Sequence, residues 1–169
     1  SLNLGITPPA SLFGKKDWKK LSQENTVESK KQMYKWIEYW KLKFKAKTYT
    51  PLTDVDGKWT LVLMTRADIG LLGSYNKYLK SPFETFYVGG DGMSGYDTYG
   101  SEIISLRGYE NYSLTPTAVS YETTGNYYAG NVYDKFTVEL RYPVILQPQS
   151  TIYALLFLEG GNCWSDIRD

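Results

Sequence analysis

From Trp36 to Thr50 the chain reads WIEYWKLKFKAKTYT, and this run limits the possible folds more than any other stretch. Its even positions are Trp36, Glu38, Trp40, Leu42, Phe44, Ala46 and Thr48, and its odd positions include Tyr39, Lys41, Lys43, Lys45 and Lys47. A period of two puts these sets on opposite faces of a β-strand, one apolar and aromatic, the other a row of four ammonium groups. In a soluble sandwich the lysine face would point to water, which is the simpler reading of this segment by itself. In an outer-membrane barrel the same face would point into a wet lumen.

Other segments repeat the pattern. Ser1 to Thr7 alternates from the outset, and Lys58 to Leu71 sets Trp59, Leu61, Leu63, Thr65, Ala67 and Ile69 against Lys58, Thr60, Val62, Met64, Arg66 and Asp68. Val132 to Pro143 sets Phe136, Val138, Leu140 and Tyr142 against Lys135, Thr137, Glu139 and Arg141. Thr151 to Glu159 sets Ile152, Ala154, Leu156 and Leu158 against Thr151, Tyr153, Leu155, Phe157 and Glu159. An all-β chain of about five antiparallel, up-and-down strands is therefore expected. The connections alternate: long (Pro8 to about Met33), short (Pro51 to Gly57), very long (Ser74 to Gly130), short (Val144 to Ser150). Tight turns at one end and long loops at the other are what a transmembrane β-barrel shows, whereas a soluble sandwich has no reason to sort its loops by end.

Composition removes several function classes. Histidine is absent and there is one Cys among the 169 residues, which excludes a His-based triad, an imidazole metal site, an internal disulfide and a Cys-cluster zinc site. No cofactor or metal is expected. A net charge of +1 gives no global reason to expect nucleic acid as a partner. No apolar run approaches the ~18–20 residues of a spanning helix, but a spanning strand needs only ~9–11. Residues 1–50 hold eleven Lys and four acids, so the near-neutral total hides a basic N-terminal part and an acidic remainder. With a strand already in progress at Ser1, the chain reads as a piece of something longer.

The connection Ser74 to Gly130 is long enough to suggest a function of its own. It holds ten of the 16 Tyr and eight of the 15 Gly, a composition suited to an ordered, self-packed loop. Within it, Gly89-Gly90-Asp91-Gly92 reads as a turn, since no Gly-Lys-Ser/Thr follows to make a phosphate cradle. Asp54 and Asp56 read as a polar hairpin turn, too few ligands for calcium, and Cys163 reads as structural or incidental. Arg107, followed by Gly108 and Tyr109, lies between strands whose inward positions include Glu139 and Glu159. A guanidinium can engage carboxylates through paired hydrogen bonds and pin a loop, and Gly108 would allow a tight turn. Spacing alone leaves an exposed loop arginine as an equal alternative.

The runs Phe83 to Gly92, Leu106-Arg-Gly-Tyr109, Phe136 to Pro143 and Phe157-Leu-Glu-Gly-Gly-Asn-Cys-Trp164 resemble the C-terminal barrel of BamA-type outer-membrane assembly factors, in the bacterial surface-antigen superfamily. The resemblance spans essentially all of residues 1–169. It implies a partial transmembrane barrel with the 74–130 loop folded back into the lumen. Leu106, Arg107, Gly108 and Tyr109 match the loop motif, and Glu139 and Glu159 match its acidic partners. Leu106 stands where Val or Ile is commoner, and Glu159 stands where some relatives have Asp. A Gram-negative outer-membrane location follows, with unfolded outer-membrane proteins, accessory assembly lipoproteins and outer-membrane lipid as partners and no enzymatic chemistry. The resemblance also implies that strands at the barrel seam lie outside the chain, so that the piece alone would not perform the parent's reaction. A secretion pore exporting one partner, or a TamA-like accessory, would use the same motif. A soluble aromatic-rich binding module, stacking ligands on Tyr and Trp, is the alternative from another class.

Overall fold

Residues with alternating apolar and polar side chains pair here into one sheet with two unlike faces. The structure, a computed structural model, describes residues 1–14, 16–24, 26–53, 60–81, 83–93, 102–119, 126–128 and 130–167. Its main sheet contains β1 (Leu2–Ile6), β2 (Trp40–Pro51), β3 (Val62–Gly73), β8 (Val132–Gln147) and β9 (Ser150–Trp164), all antiparallel and ordered β1-β2-β3-β8-β9. Strand neighbours in sequence are neighbours in space, the up-and-down order expected. The five strands form an open sheet, with β1 and β9 at its edges.

Register shows which residues share a face. Lys43 lies opposite Gly70, Gly70 opposite Tyr133, and Tyr133 opposite Cys163; one step along, Lys45, Asp68, Lys135 and Gly161 line up, and further on Met64, Glu139 and Phe157. These residues face the long connection between β3 and β8, and we call this the loop face. The opposite, bare face carries Leu4, Phe44, Phe136, Val138, Leu156 and Leu158, all well exposed. Within the described strands both faces hold the residues that the alternation assigned to them.

Several strand limits differ from expectation, and β9 runs past Glu159 to Trp164. β2 begins at Trp40 rather than Trp36, because Glu38 is drawn away: its carboxylate accepts hydrogen bonds from the backbone N–H of Ser11 at 2.5 Å and its hydroxyl at 2.6 Å and is buried there. β3 begins at Val62, while Lys58 and Trp59 lie outside the described residues, as do Asp54 and Asp56. β8 runs past Pro143 to Gln147, absorbing the proline with a register shift between Pro143 and Ile145, so the last connection shrinks to the turn Pro148-Gln149.

The long connections have structure of their own. Between β1 and β2 lie three short helices that strand periodicity did not reveal: α1 (Ala10–Phe13), α2 (Trp18–Glu24) and α3 (Val27–Met33). A capping box starts α3, the Thr26 hydroxyl accepting from the Ser29 N–H and the Ser29 hydroxyl from the Thr26 N–H. Glu28 in its first turn and Lys30 and Lys31 in its last complement the helix dipole. Between β3 and β8, the strands β4 (Phe86–Val88) and β5 (Glu102–Ile104) pair in parallel, and β6 (Thr117–Val119) and β7 (Asn126–Tyr128) form a hairpin.

The core lies between this loop and the sheet. Phe86, Val88 and Ile104 from the loop pack on Leu72, Tyr133 and Cys163 of the sheet, with Tyr39 and Leu114 at the margin. Phe86 and Tyr133 meet edge to face, ring centres 4.6 Å apart. Gly70 makes this possible, because a Cβ there would collide with both rings.

Candidate functional site

Leu106 to Tyr109 sits where the loop crosses β8 and β9. Leu106 is fully buried and forms an isolated bridge with Gly90, donating to the Gly90 carbonyl at 2.9 Å while the Gly90 N–H donates to the Tyr109 carbonyl at 3.1 Å. Gly89-Gly90-Asp91-Gly92 is thus a bridged segment with a bend at Gly92 rather than the turn its composition suggests. It is also the seat of the motif, with φ of +121° at Gly89, +83° at Gly90 and +76° at Gly92. Sequence reading saw two separate features here. Gly108 has φ +90°, and a Cβ placed on it would meet nothing within 4 Å, so glycine serves backbone conformation there rather than space. The Tyr109 ring is exposed and takes no part in the cluster.

Between Leu106 and Gly108, Arg107 reaches down to the sheet. Its Nη2 donates to Glu139 Oε1 at 2.9 Å on β8, and its Nε donates to Glu159 Oε2 at 3.1 Å on β9. The Arg107 backbone N–H also donates to Glu159 Oε2, at 2.9 Å. These bonds, that to Glu159 foremost, hold the guanidinium above its usual pKa despite partial desolvation. The guanidinium carbon lies 3.7 Å from the centre of the Phe157 ring, a contact that sequence reading missed although Phe157 stands two residues before Glu159 on the same face.

Neither carboxylate depends on Arg107 alone. Glu159 also takes Lys135 Nζ at 2.9 Å and the Thr137 hydroxyl at 2.9 Å, while Glu139 takes Arg141 Nη2 at 2.6 Å. Both acids are almost entirely shielded from water, with side chains 8% and 3% exposed for Glu139 and Glu159, so the added partners matter to their satisfaction. Asp68 is buried too and pairs with Arg66 two residues along β3. Each of these three inward carboxylates therefore has a guanidinium partner, an arrangement that holds a shape and leaves no free acid/base pair among them.

On the far side of the loop the lysine row meets acids for which the sequence offered no assignment. Glu102, the first residue of β5, receives Lys43 Nζ at 2.8 Å, with Lys41 Nζ at 3.5 Å and Lys45 Nζ at 3.9 Å. Burial raises the Glu102 pKa, and the hydrogen bond from Lys43 with the charges of all three lysines outweighs it, leaving the group below the usual carboxylate range. Lys41, itself buried, also donates to the Glu84 carbonyl at 3.0 Å and carboxylate at 3.1 Å, and its ammonium sits 4.7 Å from the Phe86 ring centre. Among the described residues no group of His, Cys, Asp and Glu is arranged to hold a metal ion.

Residues 17–167 match the family model of the Omp85 superfamily domain. The chain belongs to the Omp85 superfamily. Omp85 proteins reside in the outer membrane of Gram-negative bacteria, and the five-stranded antiparallel sheet is part of such a barrel. No helix among the described residues is long and apolar enough to cross a membrane. The chain is similar to the outer membrane protein assembly factor BamA of Neisseria meningitidis serogroup B, with 30% identity over 107 residues. That match covers 62% of this chain and 12% of the relative, so the chain spans a small part of the curated protein it resembles. No solved structure matches it. Outer-membrane membership leaves the soluble binding module without support.

Proposed function

We propose that this chain is part of an Omp85 assembly factor that folds and inserts other β-barrel proteins into the outer membrane. Its substrates are unfolded outer-membrane proteins, its partners accessory assembly lipoproteins and outer-membrane lipid, and its work involves no covalent step, nucleotide or cofactor. The observation that carries this reading is Arg107, which bridges Glu139 on β8 and Glu159 on β9 from inside the loop, in a chain 30% identical to an assembly factor over the matched residues. A strand edge offers unpaired N–H and C=O groups that template an incoming strand, and lipid makes such an edge too costly to leave open. Holding the barrel in a shape that lets an edge exchange partners is then the task of the wall, and Arg107 acts as a strut on that wall.

The test uses the intact protein in cells that depend on it. Arg107→Ala, or Glu139→Gln together with Glu159→Gln, is expected to lower the steady-state level of client barrels severalfold while the variant itself reaches the outer membrane. Normal client levels in those cells would rule out the strut.

A further inference from the structure

The loop segment from Glu102 to Arg107 carries opposite charges at its two ends and crosses a sheet whose loop face is divided the same way. Under Glu102 lie Lys41, Lys43 and Lys45 of β2; under Arg107 lie Glu139 of β8 and Glu159 of β9. Midway, the Ser105 carbonyl accepts a hydrogen bond from Lys135 Nζ at 2.5 Å, and Ile104 and Leu106 are buried. Reversing the segment end for end would put the Arg107 guanidinium among three ammonium groups and take Glu102 from them to a site where Lys135 and Arg141 already pair with the two carboxylates. Like charges in a partly desolvated site repel, so the docked direction is the favoured one.

We propose that Glu102 is a second positioning residue of this loop. Its contact with the lysines of β2 anchors the end opposite Arg107 and makes residues 102–107 a crossbar, of fixed direction, joining β2 to β8 and β9. The proposal rests on the strut reading above and extends it from two strands to the width of the sheet. It assigns a role to the lysine row: three ammonium groups in step on alternate residues form a site that one carboxylate fills, and Lys41 adds Glu84 to the same anchorage. Lys47 lies beyond the site, over the Tyr49 ring.

The experiment places single substitutions in the full-length protein in native outer membranes and measures protease cleavage within residues 74–130, with heat-modifiable gel migration as the check on barrel folding. Glu102→Gln is expected to raise the cleavage rate about fivefold and Glu102→Lys about tenfold or more. Lys43→Glu alone should raise it as well, and Glu102→Lys combined with Lys43→Glu should return it most of the way to the parental rate. Rescue by charge exchange would trace the effect to the Glu102–Lys43 contact itself rather than to a general loss of stability. Parental cleavage in Glu102→Lys, alongside rapid cleavage in Arg107→Ala, would overturn the second anchor and leave the strut standing. Release of the loop in both variants with normal client levels would overturn the strut and leave the anchor. If Glu102→Lys loses heat-modifiable migration, Glu102→Gln decides, and unchanged cleavage in it refutes the proposal.

Discussion

At Arg107 one planar group satisfies two carboxylates on different strands and packs against Phe157, and each of these three contacts needs the guanidinium's shape rather than its charge alone. Lysine keeps the charge and loses the fork and the stacking surface. Arg107→Lys is therefore expected to loosen the loop by about 1.5–3 kcal/mol, the range for hydrogen bonds to charged groups. Amide exchange at Leu106 and Arg107 would read this as about tenfold or greater loss of protection. A second residue-scale prediction separates conformation from space. Gly108 and Gly160 both have room for a Cβ, but only Gly108 has a positive φ. Gly108→Ala should cost about 1–3 kcal/mol of loop stability, and Gly160→Ala almost nothing, measured by the same exchange.

Among the elements, acid acts on both ends of the 102–107 segment through carboxylates. Glu102 titrates below the ordinary glutamate value of 4.5, so its contribution is complete above that pH and is lost as the pH falls through the lower folded value. Arg107 keeps its charge, but its end also rests on carboxylates, Glu139 and Glu159, and yields when these are neutralised. Protease protection of the loop is expected to hold from neutral pH down to about 4.5 and then weaken from the Glu102 end, and in Glu102→Gln the weakening specific to that end should vanish. The elements also show how far sequence could reach. Period two located both faces of every long strand, because alternation is local and survives errors in strand limits. It failed at Trp36 to Tyr39, where the alternation continues on paper but the Glu38 carboxylate is spent on Ser11, and at Pro143, which looked like a strand end and is a bulge. Alternation placed Glu139 and Glu159 on inward faces and left Arg107 an even choice between them and water, and the resemblance favoured the pairing. Glu102 was missed because nothing local marks a carboxylate for lysines 59 residues away, and the Gly90 seat of Leu106 was missed for the same reason.

Taken whole, the sheet has one face covered by the loop and one left apolar and bare, with Leu156 and Leu158 73% and 76% exposed near the middle of β9. In the outer membrane that bare face meets lipid, where an arginine at mid-depth costs about 2–4 kcal/mol and one near the interface about 0–1. Leu158→Arg is accordingly expected to lower denaturant resistance of the full-length barrel strongly, and Ile152→Arg, on the same face of β9 but near the Pro148-Gln149 turn, only slightly. Equal effects at the two sites would contradict this orientation of the strand in the bilayer.

The separations spanned by the crossbar also set an order of events. Arg107 cannot find Glu159 until the chain has grown 52 residues further and turned back at Pro148-Gln149, whereas the lysine awaiting Glu102 at closest range, Lys43, was made 59 residues before it. One end of the loop can therefore dock against wall already present, and the other must wait for β9. The Arg107 contact requires the β8–β9 hairpin, so a chain truncated before that hairpin is expected to keep its loop fastened at the Glu102 end alone and open to proteases.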